Sequence, residues 1–378
     1  MTPRPNHPCE AFLPLSPREV AGLKRWLEAV KGRVVRHLDR PAWRRRFGPP
    51  EMLDHYYLYL RAPSKAIRPA LLLAACELCG GDPRRALPAA CAVEVFHTWS
   101  LVHDDIIDRD DLRRGRPTVH AFARERFQGL APMPSSERDH LAASVAIMIG
   151  DNLLACSLAL MNELREDRRI DPTLAARLVS GLATTAANGL IEGEILDCLY
   201  EKRPVASLTL RESLDMLRKK TGCLLEFCMA AGAQLGLNRA DARAPEARAL
   251  GAYARHCGLA FQLQDDLLGL TGDEKTLSKP VGADVRAGKR TPVVLMAFEA
   301  ASAAQRARLL RLLGHPRLGA RGLAEFVGLL ESLGALERAR RMAHAEIAAA
   351  LRALERFPPG PARARLDALA RYFIQRSS

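Results

Sequence analysis

The chain has 378 residues, 48% of them hydrophobic and 26% charged, a globular composition with ample material for a core. Aromatic residues make up only 5%, and alanine, leucine and arginine dominate, which argues for helices over sheets. The formal net charge is +13, but arginine supplies 47 of the cations and lysine 9, so the excess reads as solvated surface, and no motif supports a nucleic-acid partner.

Residues 1–15 carry four prolines and read as a loose arm, without the apolar core of a secretory signal. Apolar periodicity then predicts helices over 17–38, 68–79, 86–108, 141–166, 173–200, 210–235, 244–270, 291–300, 303–314, 322–333, 335–356 and 362–376. No convincing alternating strand is found. The stretch 127–139 reads as a polar, proline-containing loop, and glycine and proline clusters mark the other joints. No apolar run of about 18 residues is present, so no membrane span is expected. The nine cysteines are odd in number and scattered, Cys76 and Cys79 reading as helix thiols, which points to a reducing cytoplasm. The expectation is an all-α bundle with its ligand site between helices.

The strongest local signal is Leu101-Val102-His103-Asp104-Asp105-Ile106-Ile107-Asp108, followed by Arg113-Arg114-Gly115. Asp104 and Asp108 share one helix face about 6 Å apart, and two such carboxylates repel unless a cation lies between them. Hard oxygen ligands point to Mg²⁺, and the nearby arginines suit a polyanion such as diphosphate. A second cluster repeats this logic: Phe261-Gln262-Leu263-Gln264-Asp265-Asp266-Leu267-Leu268-Gly269, then Gly272-Asp273, with Lys279, Asp284, Lys289 and Arg290 beyond. Where arginine is the default cation, Lys65, Lys220, Lys279 and Lys289 stand out because each falls beside a motif.

With these motifs the chain resembles the trans-isoprenyl diphosphate synthases (the polyprenyl synthetase family) over roughly residues 50–376. Besides DDIID with RRG, it has Ser64-Lys65-Ala66-Ile67-Arg68-Pro69, like the family's GKxxRP element. It also has Gly193-Glu194-Ile195-Leu196-Asp197, the Lys220-Thr221 pair, the FQxxDD cluster, a GDxxxxxKP-like stretch ending at Lys279, and GKRT at Lys289. The resemblance implies an all-α isoprenoid-synthase bundle around a deep central cavity, usually a homodimer. Residues 1–50 would be an arm and first helix, and 51–378 the catalytic domain, a single domain overall.

The reaction implied is head-to-tail transfer between an allylic diphosphate and isopentenyl diphosphate, with three Mg²⁺ ions. By motif, Asp104, Asp108 and Asp265 are metal ligands. Asp105, Asp266 and Asp197 hold metal-bound water or support the ligands. Arg113, Lys220 and Lys279 hold the allylic diphosphate. Lys65, Arg68, His97 and Arg114 hold isopentenyl diphosphate, with Phe261 beneath its chain and Lys289 also binding substrate. Thr221, Gln262 and the Lys220 carbonyl face the developing cation. Asp110 and Asp111 are expected to position the arginines. Gly269 supplies no third carboxylate to the second cluster, and Asp273 is expected to compensate.

Product length is expected to be set at Trp99 and Ser100, the fifth and fourth positions before Asp104. A turn of helix is about 5.4 Å, so a bulky side chain here shortens the pocket. The resemblance implies that a large aromatic at the fifth position goes with short products and, with small Ser100 at the fourth, a C20 product, with C15 as the alternative. A terpene cyclase would want a different second metal motif, and a non-catalytic partner subunit would usually lose aspartates.

Overall fold

The computed structural model describes residues 14–130, 132–272 and 281–375. These fold into helices, and the helices group into two compact units. The first comprises Ala21–Ala183 and Cys228–Ala247; the second comprises Thr184–Phe227 and Arg248–Ser378, with the segment up to Val20.

The first unit is built from α1 (Pro17–Leu38, which enters it at Ala21), α2 (Pro41–Arg44), α3 (Leu53–Leu60), α4 (Ile67–Leu78), α5 (Leu87–Ile107), α6 (Val119–Arg126), α7 (Ser135–Asn162) and α8 (Pro172–Gly181). Helix α1 shows why such a segment folds. Proline starts it, Glu19 sits in its first turn and Arg36 and His37 in its last, so its ends complement the helix dipole. Its buried face is Leu23, Leu27, Val30, Val34 and Leu38, each contributing about 1.5–3 kcal/mol of burial before entropy is counted. Helix α5 is buried on nearly every side until its last turns. It lies so close to α7 that a Cβ on Gly150 would stand 2.2 Å from the His103 Nε2.

The second unit carries α9 (Ala187–Lys202), α10 (Leu210–Leu217), α11 (Cys223–Leu237), α12 (Pro245–Thr271), α13 (Ala283–Ala287), α14 (Pro292–Ala300), α15 (Ala303–Leu312), α16 (Ala320–Ser332), α17 (Ala335–Leu354) and α18 (Pro361–Gln375). The end of α11, from Cys228, belongs to the first unit. There Gly232 and Gly236 approach α4 so closely that a Cβ would stand 2.3 Å from the Leu72 carbonyl and 2.5 Å from that of Cys76. In the second unit, Val293–Phe298 of α14 form the middle of an apolar core shared with Phe326, Leu330 and Leu336. The Tyr253 hydroxyl donates to the Leu366 carbonyl at 2.7 Å, fastening α18 to α12.

Three expectations need correction. The 127–139 loop is shorter than expected, because α7 starts at Ser135. Pro134 and the first-turn Glu137 are start signals that outweigh the polar composition. Short helices α2, α3, α6 and α13 carry too few residues for a periodic signal. A two-residue antiparallel hairpin, β1 (Leu112–Arg113) with β2 (Arg116–Pro117), follows α5. Its turn residues Arg114 (φ 54°) and Gly115 (φ 71°) are both left-handed, the combination a tight hairpin needs.

Two stretches, Ser135–Glu166 and Pro172–Lys202, are long and apolar enough by length and composition to cross a membrane, although none was expected. The first packs along α5 in the core of its unit. The second is interrupted by a π-helical turn at Leu182–Ala186 and carries Glu194 and Asp197, both ion-paired to Lys220.

Candidate active site

The predicted residues gather into clusters within each unit. In the first unit, α5 ends in Asp104 and Asp105, and Asp108 caps it, its backbone N–H donating to the Asp104 carbonyl at 2.8 Å. Asp105 is 1% exposed. It accepts from the Tyr59 hydroxyl and, at 2.8 Å, from Arg113 Nε, while Arg113 Nη2 donates to Asp104 at 3.0 Å. Burial raises the Asp105 pKa, and Arg113 opposes the rise. Burial also works against the charge on Arg113, but its bonds to Asp105 and the nearby Asp104 outweigh that and raise its pKa. Thus Arg113, expected at the allylic diphosphate, is held by the acidic pair. Asp111 does not position Arg113 or Arg114; it meets Arg124 at 2.8 Å and His120 at 3.5 Å.

The same unit carries further cations. Lys65 stands half-buried in the segment before α4, and Arg68 is in the first turn of that helix. His97 lies on α5 three residues after Glu94. Burial, then Arg68, Arg114 and Arg113, push the His97 pKa well below the ordinary range. His97 is therefore a neutral ring among cations, and its buried Nδ1 has no hydrogen-bond partner among the described residues. Buried His55 also leaves both ring nitrogens without a partner among the described residues, so what sets His97 apart is the arginines around it. Burial pushes the Arg114 pKa down, as does Arg113. Glu94, raised by burial and lowered by Arg68, Arg114 and Lys31, is their counter-charge.

Glu94, Lys31 and Tyr59 were missed by the sequence argument. Glu94 carries the one visible signal, an acid inside an otherwise apolar helix. Trp99 is 5% exposed, its ring edge-on to Phe96 at 4.8 Å and to His103 at 6.0 Å. The Ser100 hydroxyl donates to the His97 carbonyl at 2.9 Å.

In the second unit, a π-helical turn at Arg218–Gly222 separates α10 from α11 and contains Lys220 and Thr221. Such turns leave backbone carbonyls outside the regular ladder. Lys220 Nζ reaches Asp197 at 2.7 Å and Glu194 at 3.0 Å, both on α9, and Lys289 Nζ lies 4.0 Å from Asp197. Thr221 donates to Gln262 at 3.4 Å, and Gln262 Nε2 donates to Asp266 at 3.3 Å.

Asp266 is 7% exposed, and its pKa is pushed well up, by burial first and then by Asp284, Asp265 and Asp197. Its Oδ2 is buried with no hydrogen-bond partner among the described residues. An orphaned carboxylate oxygen among other acids fits a hard divalent cation. Asp284, Lys289 and Thr291 line a cavity with Asp266 and Gly269, and a Cβ on Gly269 would lie 3.7 Å from Asp284 Oδ2. Asp284 therefore brings a carboxylate to the place where Gly269 has none. The Phe261 ring stands edge-on to Phe373 at 5.3 Å. Lys279 and Asp273 lie outside the described residues.

Comparison with known proteins shows the family. A model of the polyprenyl synthetase family matches residues 50–327. The chain is 37% identical to a short chain isoprenyl diphosphate synthase of Methanocaldococcus jannaschii over 72% of this chain and 74% of that one. It is also 37% identical to a farnesyl diphosphate synthase of Geobacillus stearothermophilus over 72% of this chain and 83% of that one. A geranylgeranyl pyrophosphate synthase of Corynebacterium glutamicum, solved with isoprenyl diphosphate and magnesium, superposes with a TM-score of 0.79 at 27% identity, covering 94% of this chain and 99% of that one. Carboxylates on α5 and α12, cations beside each, and this likeness over most of its length mean that the chain belongs to the polyprenyl synthetase family and is a prenyltransferase of the isoprenyl diphosphate synthase type.

Proposed function

We propose that the enzyme joins isopentenyl diphosphate head-to-tail to allylic diphosphates of C5 to C15 and releases chiefly geranylgeranyl diphosphate. The observation that carries the reaction is the repeated pairing of helix-borne carboxylates with cations: Asp104 and Asp105 with Arg113, and Asp197 and Glu194 with Lys220. Asp104, Asp108 and Asp265, supported by Asp105, Asp266 and Asp197, would hold Mg²⁺, three ions with substrate bound. When bound, Mg²⁺ neutralises the diphosphate as its bond to the allylic carbon breaks.

The chain's own groups do the rest. Arg113 and Lys220 would turn from their carboxylates to the allylic diphosphate, Lys279 would bind it too, and Lys289 would also bind substrate. Lys65, Arg68 and Arg114 hold isopentenyl diphosphate, and neutral His97 donates to it from a ring that carries no charge of its own. Thr221, Gln262 and the Lys220 carbonyl turn oxygen dipoles toward the allylic cation while the isopentenyl double bond attacks it. The proton lost from the new chain goes to the departing diphosphate. Asp284 serves the second acidic cluster where Gly269 has no carboxylate.

Buried Trp99 supports a C20 product as the floor of the growing chain's pocket. The second reading, C15, is supported by the farnesyl-forming relative. On α9 the exposed Ile191, Ile195 and Leu199 recur every four residues, an apolar stripe suited to a second copy of the chain. The eight described cysteines are free thiols, which suits a cytoplasmic site.

The test is product analysis after incubation with Mg²⁺, isopentenyl diphosphate and each allylic starter. C20 from every starter supports the proposal, and a stop at C15 moves the floor nearer the metals. A cyclised hydrocarbon, or no elongation, overturns it.

A further inference from the structure

Lys31 lies on α1, before the stretch that matches the family model. Its Nζ nevertheless donates a hydrogen bond to the Ala62 carbonyl. The next carbonyl, that of Pro63, accepts from Arg114 Nη1 at 2.9 Å. One residue earlier, Arg61 reaches Asp39, just past α1, at 2.5 Å, and its guanidinium lies 4.1 Å over the Tyr57 ring. Three successive residues are thus tied down by cation contacts, two of them made to α1 or to the residue just past it.

The ties have a strained segment to hold. Ala66 sits at φ 43°, a left-handed conformation that residues with a Cβ avoid, and it caps α4, whose first turn carries Arg68. Lys65 stands between the ties and the strained residue. Lys31 is half-buried; burial lowers its pKa, Glu94 opposes that shift, and Arg114 and Arg116 add to it.

We propose that Lys31 is a positioning residue that clamps Arg61–Ala66 through the Ala62 carbonyl, so that Lys65 and Arg68 are presented to isopentenyl diphosphate. This rests on the assignment of those two residues to that substrate. Lys31 itself touches no substrate, so its loss affects one substrate and not the other.

The experiment compares the full chain with Lys31→Met and Lys31→Arg by steady-state kinetics in both substrates and by hydrogen exchange. Lys31→Met is expected to raise KM for isopentenyl diphosphate about tenfold, the worth of one charge-assisted hydrogen bond. The KM for the allylic diphosphate stays put, kcat changes little, and amide exchange quickens across 61–66. Lys31→Arg, which can still donate, restores most of the affinity. If the wild type elongates and Lys31→Met leaves the isopentenyl KM unchanged, the role of Lys31 alone is overturned. So does a rise in both KM values together with a lower unfolding temperature, which marks a structural defect. A wild type that elongates nothing overturns the assignment of the substrate and the clamp with it.

Discussion

Gly193 lies against the backbone of Lys220: a Cβ on this glycine would stand 2.2 Å from the Lys220 nitrogen and 2.6 Å from its Cα. The obstacle is main chain, so it cannot rotate aside. The absence of a side chain at 193 lets the π-helical turn settle onto α9, one turn from Asp197. Gly193→Ala should therefore displace Lys220 and Thr221. We expect a loss of at least about 100-fold in kcat and a stability cost of about 1–3 kcal/mol, the range for overpacking. Gly328→Ala on α16, where a Cβ meets nothing within 4 Å, is the control and should leave turnover alone. Equal activities for the two variants would show that the close approach is incidental.

Asp104→Asn removes one of two carboxylates around Arg113 and leaves the other, since Arg113 Nη2 also lies 2.6 Å from Asp105. The fold should persist while turnover falls by at least about 100-fold, as when a metal-held diphosphate loses its clamp. Circular dichroism and single-turnover assays separate the two effects. A variant turning over near the wild-type rate removes Asp104 from the metal set.

Trp99→Leu should lengthen the product beyond C20, because it shortens a side chain packed against Phe96 and His103. Trp99→Ala should lengthen it further, at a cost of about 3–5 kcal/mol for a large aromatic deleted from a core. Chromatography of the dephosphorylated products reads the outcome. An unchanged chain length in both variants places the floor on another residue.

Stability should fall as the medium is acidified from pH 7.5 to 5.5. His55 is 1% exposed, and burial, then Arg126, depress its pKa. Burial is likewise the leading depressing cause at His97 and His120. The sign follows from linkage. The unfolded chain takes up protons as pH drops through the ordinary histidine range near 6.5, and the folded chain does not, so acid favours unfolding. His55→Phe, whose ring can keep the 4.7 Å contact with Phe122, should flatten the dependence of the urea midpoint on pH. A slope identical to that of the wild type would assign the effect to other groups.

Most of the architecture was legible because long amphipathic helices announce themselves. Helix α1 was expected over 17–38 and spans Pro17–Leu38, and α5 differs by one residue at each end. The motifs were legible for a related reason: acids at the ends of apolar helices have no structural excuse. What escaped was whatever depends on long-range closure. Tyr59 meets Asp105 across 46 residues, and Lys31 meets Ala62 across 31. Neither has a spacing that could betray it, since one lies in a run of tyrosines and the other on an ordinary polar helix face. Asp284 was visible only as one charge in a glycine-rich loop; its approach to Gly269 depends on how the chain returns after α12.

The bond between Arg113 and the two aspartates has a last consequence, for handling the enzyme. The first acidic cluster carries its own counter-charge, so those carboxylates do not depend on an imported ion to coexist in a folded chain. If this cluster holds Mg²⁺ as proposed, the ion would be a reagent that comes and goes with substrate, unlike the zinc of small domains that unfold when stripped. Dialysis against a chelator should abolish catalysis, leave the melting temperature almost where it was, and be reversed within mixing time when magnesium is returned.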